Sequence, residues 1–256
     1  MWETCPVNET RLLVLFDLDG TLVDPAGSIT GGIAAALAGA GLPVPGPERL
    51  SAMVGPALTT SLRDLAGVPE DRIDEVIAAY RAGYRSSGMA ESRPYPGIPE
   101  VLAELQGRCL LAVATQKPEG LAHELLRLQG LDGFFASIHG SPDDERTAAP
   151  DGKASIVAAA LERHRGAWDH AVMIGDRSHD VHGAAANGLP CIGITWGFAA
   201  DGELEDAGAA EVVTRAQDLP AAITRTAAAP AAASDAASAP TLDAAGSREV
   251  AAHGRL

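Results

Sequence analysis

Apolar positions in this chain come in short blocks, and their period switches between that of a strand and that of a helix. Leu12, Leu13, Val14, Leu15 and Phe16 are consecutive apolar residues with no turn former among them, the pattern of a strand buried on both faces. Ile73, Val76, Ile77, Tyr80 and Tyr84 recur instead at helical spacing and predict a helix from about Pro69 to Arg85. Glu70, Asp71 and Asp74 sit in its first turns and Arg81 and Arg85 in its last, as the helix dipole favours. Ile29 to Leu42 and Leu58 to Leu65 read as two more helices, so residues 28–92 carry helical signals and no convincing strand. From Pro94-Tyr95-Pro96-Gly97 onward the blocks alternate. Helix 98–107 leads to strand 109–114, helix 118–129 to a short strand near 134–139, helix 152–164 to strand 171–175, and helix 179–187 to strand 191–195. Glu211-Val212-Val213 is a candidate last edge strand. Strands separated by helices imply an α/β fold with a parallel sheet and right-handed crossovers. Its ligands belong beyond the carboxyl ends of the strands, where the strand order reverses. Residues 226–256 are Ala, Pro, Ser and Thr with almost no large apolar side chain, and are expected to form a disordered tail.

The first strand runs into Asp17-Leu18-Asp19-Gly20-Thr21-Leu22. Alternation along a strand puts Asp17 and Asp19 on one side and Leu18 in the core. Paired carboxylates at the carboxyl end of a central strand suit a magnesium site or a nucleophile with its acid/base partner. A plain turn is the alternative. A calcium loop is excluded, because Thr21-Leu22-Val23 resumes apolar character where further oxygen ligands would be needed.

Strand 109–114 ends in Thr115-Gln116-Lys117-Pro118, with Pro118 suited to the first position of a helix. A Thr hydroxyl beside unpaired N–H groups at a helix start makes either an anion site or a simple cap. Met173-Ile174-Gly175-Asp176-Arg177-Ser178-His179-Asp180 repeats the acidic cluster at a strand end, with Asp180 one helical turn beyond Asp176. Like charges so close repel unless a cation or proton lies between them, which favours a metal over two solvated caps. His179 and His182 read as helix-surface residues, because a hard-oxygen site already has its carboxylates. Lys153 opens the helix before strand 171–175.

Composition narrows the function. At 256 residues the chain is long enough for one sizeable domain and a smaller one. The formal charge of −15 argues against nucleic acid as a partner. Three widely spaced cysteines, Cys5, Cys109 and Cys191, suit reduced thiols rather than a disulfide framework or a zinc site. No targeting segment or membrane-length apolar run is evident, and the expectation is a soluble cytoplasmic protein with no membrane partner. Lys117 and Lys153 are the only lysines, which makes each informative where surface charge is otherwise supplied by arginine.

Asp17-Leu18-Asp19-Gly20-Thr21, Thr115, Lys153 and Gly175-Asp176-Arg177-Ser178-His179-Asp180, in this order, resemble the four motifs of the haloacid dehalogenase superfamily. The resemblance is to its phosphoglycolate-phosphatase-like and 5′-nucleotidase-like members. Lys117-Pro118-Glu119, Tyr95-Pro96-Gly97-Ile98 and Thr195-Trp196-Gly197-Phe198 support it. Gln116 stands where such members commonly have Asn or Ser. The resemblance covers roughly residues 11–220. It implies a Rossmann-like parallel sheet core of residues 10–24 and 93–222, with an α-helical cap domain over residues 25–92. It further implies a small phosphate ester as substrate and an aspartyl-phosphate route. Asp17 would be the nucleophile, Asp19 the acid and base, and Thr115, Gln116 and Lys153 the phosphate-binding residues. Mg²⁺ would be held by Asp17, Asp19 through its backbone carbonyl, Asp176 and Asp180. Gly55-Pro56-Ala57-Leu58 is a candidate cap loop over the phosphate. Arg63, Arg81 and Arg85 are candidates to hold an anionic group, or are simply solvated helix faces. The presence of Asp19 argues against a C–Cl dehalogenase. The lack of lysine in residues 25–92 argues against a Schiff-base phosphonate hydrolase. A sugar-phosphate mutase and a non-catalytic phosphate-ester-binding module remain as alternatives.

Overall fold

The computed structural model describes residues 11–144 and 152–228. Strand β1 (Leu12–Phe16) is buried along nearly its whole length, because it lies in the middle of a parallel sheet. It pairs with β4 (Leu110–Pro118) on one side and with β6 (His170–Gly175) on the other. Beyond β4 lies β5 (Ser137–Ser141), and beyond β6 lie β7 (Cys191–Ile194) and β8 (Glu211–Val213). The order β5-β4-β1-β6-β7-β8 has the chain moving outward from β1 in one direction and then, from β6, in the other. The switch point therefore falls between β1 and β6, and ligands are expected beyond the carboxyl ends of these two strands. Val14 and Phe16 pack into one apolar cluster and Leu13 and Leu15 into the other, one on each face. Burying each such side chain contributes about 1.5–3 kcal/mol, so the platform that presents Asp17 is rigid.

Helices α6 (Ile98–Gln106), α7 (Glu119–Leu128), α8 (Lys153–Arg163), α9 (Ser178–Ala185), α10 (Glu203–Asp206) and α11 (Leu219–Ala228) connect and follow the strands. The helical insertion lies between β1 and β4. It contains α1 (Ser28–Gly39), α2 (Pro47–Ala52), α3 (Leu58–Asp64), α4 (Ile73–Gly83) and the short α5 (Met89–Glu91), with a π-helical turn at Tyr84–Gly88. The chain leaves the sheet through β2 (Val23–Asp24) and returns through β3 (Arg93–Pro94), which pair antiparallel as a narrow neck. Ile33, Leu37, Val76 and Tyr84 of the insertion belong to the same apolar cluster as one face of the sheet. The architecture is thus a Rossmann-like parallel sheet core with an inserted α-helical cap.

Three expectations need correction. Strand 109–114 does not end at Ala114: β4 continues to Pro118, and the helix begins at Glu119 with Pro118 as its cap residue. Thr115 is therefore not at a helix N-terminus. Pairing resumes at Pro118 with Ser141 after Ala114 with His139, so four steps along β4 match two along β5, an irregularity of the kind that re-aims side chains near active sites. Residues 226–228, assigned to the tail, complete α11, where Thr226 is buried. Residues 229–256 and Cys5 lie outside the described residues. Finally, α2 has no buried residue and was not anticipated.

Candidate active site

Asp17 leaves β1 where the sheet still holds the backbone: its N–H donates to the carbonyl of Ile174 on β6 at 2.9 Å. Leu18 is fully buried, and its carbonyl accepts N–H bonds from Leu22 and Val23. The chain thus curls back immediately, and Asp17 and Asp19 both line one cavity. Across the switch point, Asp176 follows β6 directly. It is completely buried. Thr21 Oγ1 donates to its Oδ1 at 3.0 Å, and the Phe198 N–H to its Oδ2 at 2.8 Å. A Cβ added at Gly20 or Gly197 would come within 2.3 Å of Asp176 Oδ2. Gly20 also has φ of 90°, a conformation that glycine adopts without strain. Asp180, in the first turn of α9, accepts the Arg177 N–H at 3.1 Å, which fixes its carboxylate against the end of β6.

Lys153 opens α8 and reaches between the acids. Its Nζ donates to Asp17 Oδ1 at 2.7 Å and to the Ala114 carbonyl at 2.9 Å, and stands 2.7 Å from Asp180 Oδ1. Burial by itself would lower the Lys153 ammonium, but Asp17 and Asp180 outweigh it and raise it. One carboxylate oxygen from each of Asp17, Asp176 and Asp180 lies within 4.8 Å of the others. One ammonium among three buried carboxylates leaves excess negative charge. Asp176 is consequently pushed well up, first by burial and then by Asp180 and Asp17, while Asp180 is pushed up to about 6 by burial and by Asp17, against the pull of Lys153. A donor set of oxygens only, with uncompensated charge, fits a hard divalent cation.

Asp19 is raised by burial, which outweighs the opposing effect of Lys117. Its Oδ2 accepts from Lys117 Nζ at 2.9 Å, and its buried Oδ1 has no hydrogen-bond partner. Thr115 is buried, lines the cavity, and its Oγ1 accepts the Lys117 N–H at 3.2 Å. Gln116 also lines the cavity; its Oε1 is buried without a partner, and its carbonyl accepts the Ser141 hydroxyl at 2.9 Å.

The cavity, about 60 Å³ in volume, lies between the carboxyl ends of the strands and the helical insertion, and both line it. Gly55, Pro56 and Leu58 line it, so the anticipated loop faces Asp17. Of the three candidate arginines, Arg81 lines the cavity and donates to the Asp143 carbonyl at 2.8 Å. Arg63 does not: it pairs with Glu70 on the cap surface at 3.0 Å. Arg85 pairs with Glu124 of α7 at 3.4 Å. His179 is half-buried rather than displayed on the surface, and burial lowers its pKa. Asp17, Asp19, Thr115, Gln116, Lys153, Asp176 and Asp180, all candidates from the sequence, stand around this one site. Lys117, and the Thr21 hydroxyl and Phe198 N–H that hold Asp176, join them without having been candidates. The rarity of lysine was the available signal for the first.

The model of the haloacid dehalogenase-like hydrolase family matches residues 14–194. A Pseudomonas aeruginosa protein named 5′-nucleotidase is 41% identical over 193 residues, 75% of this chain and 86% of that protein. The Mycobacterium tuberculosis protein named tyrosine-protein kinase PtkA is 40% identical over 191 residues, 74% of this chain but 64% of that protein. A phosphoglycolate phosphatase of Agrobacterium fabrum is 35% identical over 192 residues, 73% of this chain and 81% of that protein. The crystal structure of a predicted phosphatase from Clostridium acetobutylicum superposes with a TM-score of 0.77 at 34% identity, covering 85% of this chain and 100% of that one. Among the described residues no helix is long and apolar enough to cross a membrane. The chain belongs to the haloacid dehalogenase-like hydrolase family.

Proposed function

We propose that the chain is a Mg²⁺-dependent phosphomonoester hydrolase that works through an aspartyl-phosphate on Asp17 and acts on a compact phosphorylated metabolite of the phosphoglycolate type. The observation that carries this reading is the buried group at the switch point, in which Lys153 bridges Asp17 and Asp180 beside Asp176. In the first step an Asp17 oxygen bonds to phosphorus, the bond from phosphorus to the ester oxygen breaks, and Asp19 gives that oxygen its proton. In the second, Asp19 takes a proton from water, the water oxygen attacks phosphorus, and Asp17 is released as a carboxylate with inorganic phosphate. Splitting the reaction this way replaces one difficult displacement with two easier ones. Acid–base assistance by Asp19 is worth roughly 10²–10⁴-fold.

Lys153 sets a point charge against the phosphoryl oxygens, and the Thr115 hydroxyl and Gln116 amide position them. Mg²⁺, held by Asp17, Asp176, Asp180 and the Asp19 carbonyl, would offset the roughly 4 kcal/mol of repulsion per charge pair that a phosphate meets about 4 Å from a carboxylate. Ile29, Ile33 and Met53 of the cap line the cavity and offer apolar surface to the leaving group. A nucleotide is the second reading, favoured by the P. aeruginosa relative named 5′-nucleotidase.

The reading is tested by hydrolysis of 4-nitrophenyl phosphate. Asp17→Asn is expected to abolish turnover with the fold intact, and excess EDTA to abolish it in the wild type. Activity of Asp17→Asn within about tenfold of wild type would remove Asp17 as nucleophile. A phosphomonoester panel then separates phosphoglycolate from nucleotides. Isomerised sugar phosphate, in place of inorganic phosphate, would identify a mutase.

A further inference from the structure

Lys117 is drawn into the site by two groups that come from different parts of the fold. Its side chain is 6% exposed. On one side Nζ donates to Asp19 Oδ2 at 2.9 Å; on the other it lies 4.3 Å from the centre of the Tyr84 ring. The irregular segment of β4 after Ala114 carries Lys117 to this position. Tyr84 comes from the cap, where it begins the π-helical turn Tyr84–Gly88. Such turns are rare and recur at functional sites. The Tyr84 ring stacks on Tyr80 with centroids 5.7 Å apart. Gly88 leaves room for it, since a Cβ there would meet the ring at 2.8 Å. An ammonium over an aromatic face is held most firmly when, as here, both are removed from water.

With Oδ2 tied to Lys117, the other oxygen of Asp19 is left to act. That oxygen, Oδ1, is buried and has no hydrogen-bond partner, in a side chain that lines the cavity. A group that gives and takes protons must come within about 2.6–3.2 Å of its partner in a fixed orientation.

We propose that Lys117, backed by Tyr84 of the cap, is a positioning residue for proton transfer: it holds Asp19 by Oδ2 and presents Oδ1 to the leaving oxygen. The inference rests on Asp19 being the acid and base of the proposed reaction. Tyr84 makes the arrangement conditional on the cap, because the ring reaches Lys117 only while the insertion covers the sheet. Closure then completes the acid as well as excluding water.

The test is the dependence of kcat/KM on the leaving group, using full-length protein with Mg²⁺. Departure of 4-nitrophenolate needs little protonation, whereas the more basic phenolate of phenyl phosphate needs more. Lys117→Met is expected to slow phenyl phosphate about tenfold more than 4-nitrophenyl phosphate, within the range of acid–base assistance. Lys117→Arg should recover part of the difference, and Tyr84→Leu should shift the ratio in the same direction. Tyr84→Phe, which keeps the ring, should hold the wild-type ratio. Equal losses on both substrates would overturn the proposal, leaving Lys117 a structural ion-pair partner. Where Lys117→Met does not fold, Lys117→Gln and Tyr84→Leu carry the same test. Asp19→Asn separates the two levels of the reading. If it lacks the leaving-group signature, the acid–base assignment itself fails. If it shows the signature and the Lys117 and Tyr84 variants do not, only the positioning role fails.

Discussion

Lys153 illustrates how a single side chain serves both stability and chemistry. It is the cation among three buried carboxylates, 2.7 Å from both Asp17 and Asp180. A buried ion pair of this kind adds little net stability over an apolar replacement of both partners. Removing one partner is another matter, since the others are left charged and dry, at a cost of about 3–5 kcal/mol. Lys153→Met is therefore predicted to lower the urea unfolding free energy by about that amount in EDTA, and by less with excess Mg²⁺. Equal losses in the two conditions would count against a cation site at these acids. The residue was legible from sequence because lysine is so scarce in this chain. Thr21 was not: a threonine after Asp-x-Asp-Gly has many uses, and its bond to Asp176 spans 155 residues, beyond the reach of local pattern.

At the scale of elements, Glu203 ties α10 to the start of α9. Its carboxylate accepts from the N–H groups of Ser178 and Ala200, the Arg177 guanidinium and the Ser178 hydroxyl. Burial would raise its pKa, but these donors outweigh burial and bring it down to about 2. A carboxylate whose folded pKa lies below the unfolded value of 4.5 stabilises the fold above that value, and the contribution is lost as pH falls toward 2. Glu203→Gln is thus predicted to have a lower urea midpoint than wild type at pH 7, with the gap narrowing below pH 4.5. A gap independent of pH would show that the loss comes from packing and not from charge. The strands and long helices were legible because their apolar period is strong. What escaped has physical causes. Helix α2 buries no residue and so has no stripe to read. In α11 alanines dilute the pattern set by Leu219 and Ile223, although alanine itself favours the helix. The extension of β4 past Ala114 was hidden because Thr115-Gln116-Lys117-Pro118 looks like a loop until β5 is there to pair with it.

For the molecule as a whole, the cap is held shut by contacts that flank the cavity. Arg177, anchored by Glu203, donates to the Val54 carbonyl at 2.7 Å beside the cap loop, while Arg81 reaches the Asp143 carbonyl from the other side. The chain enters and leaves the insertion through the antiparallel neck at Val23–Asp24 and Arg93–Pro94, and among the described residues no strand of the insertion pairs with the sheet, which leaves closure to side-chain packing and to contacts such as these. Arg177→Ala is predicted to raise KM and lower kcat together, reducing kcat/KM about tenfold or more; a change in neither would remove it as a closing contact. The proposed reaction depends on covalent chemistry at one carboxylate, that of Asp17. Quenching the enzyme in acid during turnover of a ³²P-labelled phosphomonoester, then reducing with borohydride and sequencing, tests that directly. The predicted result is protein-bound phosphate in the quenched enzyme and homoserine at position 17 after reduction. Release of inorganic phosphate with no labelled protein at any time, or a label on another residue, would contradict it.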